Sequence, residues 1–198
     1  MWKLYDLNKR RSISVNHSVM EILVASHLLK KGFDSVDVES NINGVVADVI
    51  AYKNDKKTIV EIETGFTPAE HSIDPVDYLK ARIASKIARY SIHSDHFILA
   101  YPVYYIPPIP PTLLKDPLER DVDELIRLRE LINSYYSNPP IEMLDLARAR
   151  VDVIYILNVD RYKIYSIHPS DLLSFYRYGA RSKDIEEMLW EYLTSSPP

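Results

Sequence analysis

The chain has 198 residues, a length that suits one well-cored domain and is short for two. Hydrophobic residues make up 46% and charged residues 26%, which is typical of a globular protein and argues against extensive disorder. There is no cysteine, which excludes disulfides, thiolate zinc sites and a cysteine nucleophile, and the net charge of −4 excludes a large basic field for nucleic acid.

The N-terminal segment MWKLYDLNKRR has no apolar core, and no apolar run reaches the roughly 20 residues that span a bilayer. We therefore expect a cytoplasmic protein without a membrane partner. The composition includes 15 tyrosines, 13 prolines and only 4 glycines, which together with the missing cysteine favours a thermophile as the source.

The first half of the chain is predicted to contain two helices and four strands. In chain order these are the helix Ser14–Lys31, the strands Ser35–Ser40, Val45–Lys53 and Thr58–Phe66, the helix Val76–Ser91 and the strand His96–Tyr105. Gly32 marks the end of the first helix, and Asn43-Gly44 is a turn signal between the first two strands. The apolar face of the first helix is predicted to consist of Val19, Ile22, Leu23, Ser26 and Leu29.

The second half begins with a proline-rich connection, IPPIPPTLLKDP. Proline fixes φ and removes a donor, so this segment is stiff and extended, either as an arm across a ligand or as a rigid connection over the surface. It is followed by a predicted helix at Leu118–Tyr136, a hairpin around Asp160-Arg161 and a C-terminal helix at Ser170–Leu193. We expect residues 1–198 to form a single domain, with residues 106–198 as an α+β elaboration of a core at residues 14–105.

Glu61 and Glu63 lie two residues apart on the third predicted strand, so both point to the same face of the sheet. If Asp55-Lys56 is the two-residue turn of the hairpin, Asp48 faces Glu63 directly and Glu61 diagonally. Asp48 interrupts the apolar run VVADVIAY, where a buried carboxylate needs a cation or hydrogen-bond donors. The spacing alone leaves two interpretations open. One is an oxygen-rich site for Mg²⁺ or Mn²⁺, and the other is a solvated sheet face with Asp48 at a strand end or tied to a lysine.

Other motifs do not point to a different chemistry. The six histidines show no metal-ligand spacing, and there is neither a G-x-S-x-G motif nor a glycine-rich phosphate loop. Lys80, Arg82, Lys86 and Arg89 make the second helix basic, which indicates either contact with phosphates or an ordinary solvated charge run.

The order of the elements and three of the acidic residues resemble the PD-(D/E)XK nuclease superfamily, which has the restriction-endonuclease-like fold. Its core runs helix, three strands, helix, strand, with an acid on the second strand and an acid-x-lysine on the third. Asp48 in VADVIAY and Glu61 in VEIETG match the two strand acids. Glu21 in VMEILVASHLL matches an acid on the first helix of many members. The resemblance covers about residues 14–105 and implies an α/β fold with a mixed sheet flanked by helices.

The sequence departs from this family at the motif lysine, whose position holds Glu63. Some members carry glutamate there, and others supply the lysine from the second helix. In this chain the second helix carries KIARY, in which Lys86 and Tyr90 have the spacing of the glutamine-x-x-x-tyrosine element of some DNA-processing branches. Lys86 is therefore predicted to replace the motif lysine; alternatively, it is a surface lysine at the helix edge.

The resemblance implies a divalent metal centre. Mg²⁺ or Mn²⁺ would be held by Asp48, Glu61 and the Ile62 carbonyl, with Glu63 as a further ligand or base and Glu21 as an additional acid. Lys86 would stabilise negative charge in the transition state. Lys80, Arg82, Arg89 and Tyr90 are the predicted contacts to nucleic acid.

We therefore expect a metal-dependent endonuclease that hydrolyses DNA, whether duplex, branched or single-stranded. The alternative is a catalytically inactive relative that binds nucleic acid or another protein. A third interpretation is an interaction protein whose proline arm and C-terminal helices form an oligomer, such as a homodimer.

Overall fold

The sheet of this protein is mixed and open. A computed structural model describes residues 2–9 and 14–178. The strands are β1 Ser35–Ile42, β2 Val45–Lys53, β3 Lys56–Ile62, β4 His96–Pro102, β5 Val153–Asn158 and β6 Lys163–Ile167. They form one six-stranded sheet in the order β1-β2-β3-β4-β5-β6. The pairs β3–β4 and β4–β5 are parallel and the others antiparallel, so the predicted α/β class with a mixed sheet is confirmed.

The helices of the described residues are α1 Trp2–Lys9, α2 Val15–Lys30, α3 Pro75–Ser91, α4 Pro111–Leu114, α5 Val122–Tyr135, α6 Met143–Arg148 and α7 Pro169–Tyr178. From α2 to β4 the predicted order of helix, three strands, helix and strand is observed. Helices α1, α4 and α6 were not predicted, and α4 occupies part of the proline-rich connection that was predicted to be extended. The predicted C-terminal helix begins at Pro169, and its part beyond Tyr178 lies outside the described residues.

The turn between β2 and β3 differs from the prediction. Lys53 pairs with Lys56, so the two turn residues are Asn54 and Asp55 rather than Asp55-Lys56. Both have positive φ, 50° and 64°, which Asn and Asp tolerate better than Lys and which suits a two-residue hairpin. The predicted pairing of Asp48 with Glu63 is therefore wrong by two residues. A shift of two residues in the strand register keeps every side chain on the predicted face of the sheet.

The predicted apolar face of α2 is also wrong in most of its positions, although Leu23 does pack against the core. Val19 and Leu29 are 38% and 54% exposed, whereas Met20, Val24 and Leu28 are buried. These three buried residues recur every four positions and form one stripe along the helix. Because eight of the eleven positions from 19 to 29 are apolar, the periodicity of the sequence fits more than one face.

Helices cover both faces of the sheet. On one face, Met20, Val24 and Leu28 of α2 pack in a core with residues of β2 and β3 such as Val49 and Val60. On the other face, Ile83 and Ile87 of α3 belong to a core with Ile59, Phe97 and Leu99. Within the described part of the chain, no helix combines the length and apolar character needed to cross a membrane.

The corrected face of α2 can be tested with two adjacent leucines. Leu28→Ala should lower the free energy of unfolding by about 2–5 kcal/mol, because it removes a fully buried side chain and leaves a cavity. Leu29→Ala should change it by about 0.5 kcal/mol or less, because Leu29 is mostly exposed. Urea denaturation of both variants measures the two values, and equal losses would contradict the assigned face.

Candidate metal centre

The carboxylates of Asp48 in β2 and Glu61 in β3 each accept a hydrogen bond from a backbone N–H group of the other strand. The Ile62 N–H donates to Asp48 Oδ2 at 2.6 Å, and the Asp48 N–H donates to Glu61 Oε1 at 3.2 Å. The last regular pair of these strands is Val49 with Val60, so continuing the register by one residue places Asp48 opposite Glu61. Both carboxylates are thus fixed by cross-strand hydrogen bonds rather than free to rotate.

The oxygens that were predicted to surround a metal ion surround the Lys86 ammonium instead. Lys86 Nζ lies 3.0 Å from Glu61 Oε2, 3.3 Å from Glu63 Oε1 and 3.4 Å from Asp48 Oδ2. It also donates to the Ile62 carbonyl at 3.4 Å. Burial disfavours the charged amine, but the three carboxylates hold the pKa of Lys86 well above its ordinary value. Lys86 therefore points to the sheet as a permanent cation and is not a surface lysine.

Glu63 is shared between two cations. Its Oε2 accepts hydrogen bonds from Arg82 Nη2 at 2.7 Å and from Nε at 3.1 Å, while Oε1 faces Lys86. Arg82 Nη1 also donates to the Phe66 carbonyl at 2.6 Å. Because its charge is balanced in this way, Glu63 is a weaker candidate ligand than the sequence suggests.

A second group of possible ligands lies on the α2 side of Asp48. His17 Nε2 is 3.2 Å from Asp48 Oδ1 and 4.0 Å from Glu21 Oε1. One nitrogen or oxygen atom from each of His17, Glu21, Glu39 and Asp48 lies within 4.8 Å of the others, so this cluster could hold a metal ion. Ser14 positions His17 in the first turn of α2 by accepting a hydrogen bond from the His17 N–H.

Glu21 is the least compensated member of this group. Its side chain is fully buried, and neither carboxyl oxygen has a hydrogen-bond partner among the described residues. Burial, together with the charges of Glu39 and Asp48, raises the pKa of Glu21 to about 9. A buried carboxyl group without donors is costly, so Glu21 needs either a proton or a cation.

Glu39 reaches the group through an irregularity in β1. Its φ is 49°, in the left-handed region that costs a residue with a Cβ about 1–2 kcal/mol. The pairs on either side, Val38 with Val49 and Ser40 with Ala47, place Glu39 across from Asp48. The distorted backbone therefore lies at the point where the edge strand meets the acidic cluster, as strained residues at functional sites often do.

The two acids of β2 and β3 differ in their proton affinity. Burial opposes the charge of Asp48, but Lys86, His17 and the Ile62 N–H lower its pKa to about 2. Burial and the neighbouring Asp48 raise the pKa of Glu61 to about 8, despite the attraction of Lys86. At neutral pH Asp48 is ionised, whereas Glu21 keeps a proton that a bound cation would displace.

Most of the predicted nucleic-acid contacts have partners within the protein. Arg82 binds Glu63, and Arg89 donates to Ser85 Oγ at 3.0 Å and to the Pro139 carbonyl at 2.6 Å. The Tyr90 hydroxyl donates to the Val46 carbonyl at 2.8 Å, one turn beyond Lys86. Lys80 is partly exposed on the same helix.

His17 and Glu39 are the residues that sequence reasoning missed. His17 precedes Glu21 by four positions, which places both on one side of α2 and is a recognisable ligand spacing. Glu39 carried no such signal, because its position depends on the left-handed backbone within β1.

The sequence matches no protein-family model and no curated protein. The functional assignment therefore depends on the chemistry that these side chains can perform.

The raised pKa values of Glu21 and Glu61 predict how stability depends on pH. In a chelating buffer, the melting temperature should fall as pH rises from about 5 to 9. In this window the folded protein keeps protons that the unfolded chain, with glutamate pKa near 4.5, has released. Glu21→Gln should flatten this fall, because glutamine does not titrate.

Glu119→Gln is the matched control, since Glu119 is exposed on a surface turn. It should retain the wild-type pH dependence. Scanning calorimetry across the pH series provides the comparison, and an unchanged slope in Glu21→Gln would contradict the buried protonated carboxyl.

Proposed function

We propose that this protein is a nuclease that uses Mg²⁺ or Mn²⁺ to hydrolyse DNA phosphodiester bonds on a restriction-endonuclease-like core. The observation that carries the proposal is the sharing of Asp48 between two groups. Its Oδ1 faces a cluster that could hold a metal ion, and its Oδ2 faces the cation Lys86. A divalent ion and a lysine on the two sides of one carboxylate are a suitable pair of positive charges for a phosphate.

The arrangement of the elements supports the same proposal. Helix α2, the antiparallel strands β1 to β3, helix α3 and the parallel strand β4 follow the order of the superfamily that the sequence resembles. Its two strand acids correspond to Asp48 and Glu61, whose carboxylates lie together. The lysine that is missing from β3 is supplied by α3, because Lys86 reaches the acids of both strands.

The charges of the site fit a divalent cation. Its carboxyl groups are Glu21, Glu39, Asp48, Glu61 and Glu63, and its permanent cations are Lys86 and Arg82. The carboxyl groups thus outnumber the cations, and the fully buried Glu21 has no hydrogen-bond donor among the described residues. Carboxylate oxygens are the ligands that Mg²⁺ and Mn²⁺ prefer, so His17, Glu21, Glu39 and Asp48 would hold the ion.

Each residue has a distinct chemical role in this proposal. When bound, the cation supplies an electrophile that withdraws charge from the phosphate and acidifies water. Lys86 stabilises negative charge that develops on the phosphate oxygens. Glu61, with a pKa of about 8, holds a proton that it can exchange near neutral pH. The side chains of Lys86, His17 and Asp48 are 24%, 18% and 12% exposed, so a substrate would approach along these three residues.

The second candidate is a catalytically inactive nucleic-acid-binding or protein-interaction protein. The ion pairs of Glu63 favour it, because Arg82 and Lys86 already balance the residue that stands in the motif lysine position. Cleavage distinguishes the two candidates, since only the first requires turnover.

The primary test is cleavage with purified protein and Mn²⁺ or Mg²⁺. We expect hydrolysis of at least one of linear duplex, single-stranded and branched DNA, and loss of that activity in Asp48→Asn, because the metal-facing carboxylate loses its charge. Asp55→Asn is the control, since Asp55 lies in the exposed hairpin turn where Asn keeps the left-handed backbone. If wild-type protein with bound Mn²⁺ cuts none of these substrates nor RNA, the inactive candidate replaces the nuclease.

A second test separates the roles of lysine and metal. Lys86→Met keeps a long side chain but removes the cation, so cleavage should fall about a hundredfold or more, the scale of one lost transition-state contact. Binding of Mn²⁺, measured by calorimetry, should be unchanged or tighter, because a competing positive charge is gone. Lys163→Met is the control, because Lys163 is exposed at the start of β6 and has no role in the proposal. Wild-type cleavage by Lys86→Met would remove Lys86 from the mechanism.

A further inference from the structure

Two exposed aromatic side chains lie beside the candidate metal centre. Phe66 follows the end of β3 and is 68% exposed, and Tyr104 follows the end of β4 and is 73% exposed. Because β3 and β4 are parallel neighbours, both residues lie beyond the same edge of the sheet. In open α/β sheets, ligands bind outside the carboxyl ends of the parallel strands, which is where these two rings are found.

Phe66 is joined to the site by Arg82. It follows Glu63 by three residues, so the two Cα atoms are at most about 11 Å apart. Arg82 contacts both residues, because Nη2 donates to Glu63 Oε2 at 2.7 Å and Nη1 donates to the Phe66 carbonyl at 2.6 Å. Glu63 Oε1 in turn lies 3.3 Å from Lys86 Nζ. Phe66 therefore lies at the margin of the group that is proposed to bind the phosphate.

The segments that carry the two exposed rings pack against each other. Gly65 has a φ of 77°, and a Cβ at this position would lie 2.6 Å from Cε2 of Tyr105, so the Tyr105 ring rests directly on the backbone beside Phe66. The Tyr105 N–H donates to the Pro102 carbonyl at 3.0 Å and closes the turn that contains Tyr104. The backbone of both segments is thus held in place, while the rings of Phe66 and Tyr104 remain in solvent.

We propose that Phe66 and Tyr104 form a stacking platform for unpaired bases, and that the substrate of this site is single-stranded DNA. The inference rests on the proposed nuclease function and deepens it, because it names the form of the nucleic acid and two residues that recognise it. An aromatic ring stacks on the face of any base, so such a platform binds single strands with little regard to sequence. In a duplex the faces of the bases are covered by the neighbouring base pairs and are not open to the platform.

The charges of the protein favour the same substrate. Binding of a duplex depends on Lys and Arg residues that neutralise phosphates, whereas this chain has a net charge of −4. On α3, Arg82 binds Glu63 and Arg89 binds the Pro139 carbonyl, so donors of both residues are used within the protein. Stacking on the two rings adds binding energy that a single strand can use and a duplex cannot.

The direct test is the binding of DNA in EDTA, which separates recognition from metal-dependent cleavage. Fluorescence anisotropy compares three labelled probes: an oligo(dT) of about 20 nucleotides, an abasic strand of the same length and a duplex of the same length. The wild-type protein should bind oligo(dT) about tenfold or more tightly than the abasic strand, which has the same phosphates but no bases. It should also bind oligo(dT) more tightly than the duplex.

Substitution of the rings tests the platform itself. Phe66→Ala and Tyr104→Ala should each weaken the binding of oligo(dT) by about fivefold or more, the lower limit for one stacked base, and leave the affinity for the abasic strand unchanged. Both side chains are exposed, so both variants should fold. Tyr5→Ala is the matched control, because Tyr5 is 59% exposed on α1, which contacts α2 and β1; it should bind all three probes as the wild-type protein does.

Three results would overturn the inference: oligo(dT) bound no more tightly than the abasic strand, the duplex bound more tightly than oligo(dT), or wild-type affinity for oligo(dT) in both alanine variants. Base-dependent binding by a protein that cleaves no nucleic acid would support the platform and contradict the nuclease. Cleavage of DNA by a protein without base-dependent binding would support the nuclease and contradict the platform.

Discussion

The structure depends on one carboxylate that is held from both sides. Asp48 lies within β2, between the helix layers on the two faces of the sheet. Its Oδ2 accepts a hydrogen bond from the Ile62 N–H and faces Lys86 of α3, and its Oδ1 faces His17 of α2. Burial alone would keep such a group neutral, yet these partners lower its pKa to about 2. The negative charge of Asp48 in turn helps to raise the pKa values of Glu21 and Glu61.

Much of the architecture could be predicted because the strands and α3 carry clear local signals. Alternation and turn residues predicted β2 and the β1–β2 turn at Asn43-Gly44, where both residues have positive φ. The prediction of the β2–β3 turn failed because Asn54-Asp55 and Asp55-Lys56 are both polar dipeptides. Only the left-handed backbone at Asn54 and Asp55 distinguishes the observed turn from the predicted one. The prediction of the buried face of α2 failed because apolar residues lie on several sides of that helix.

The site was predictable where a charge interrupts an apolar pattern. Asp48 in β2 and Glu21 in α2 are such interruptions, and the structure brings both into one cluster. The sequence predicted Lys86 at the site, but it did not predict that the ammonium takes the place assigned to the metal ion, because a lysine and a metal ion satisfy the same oxygens. Glu39 could not be identified from the sequence either. Its carboxyl group reaches the cluster because the backbone of the edge strand is left-handed at this residue, and no side-chain pattern signals that conformation.

The most direct measurement of the central claim is anomalous diffraction from crystals soaked in Mn²⁺. The account predicts a manganese peak on the α2 side of Asp48, with His17, Glu21 and Glu39 as its other protein ligands at roughly 2 Å. Lys86 should keep its contacts with Glu61 and Glu63. A peak that replaces the Lys86 ammonium would contradict the assigned position, and the absence of any peak near Asp48 would contradict a metal centre in this protein.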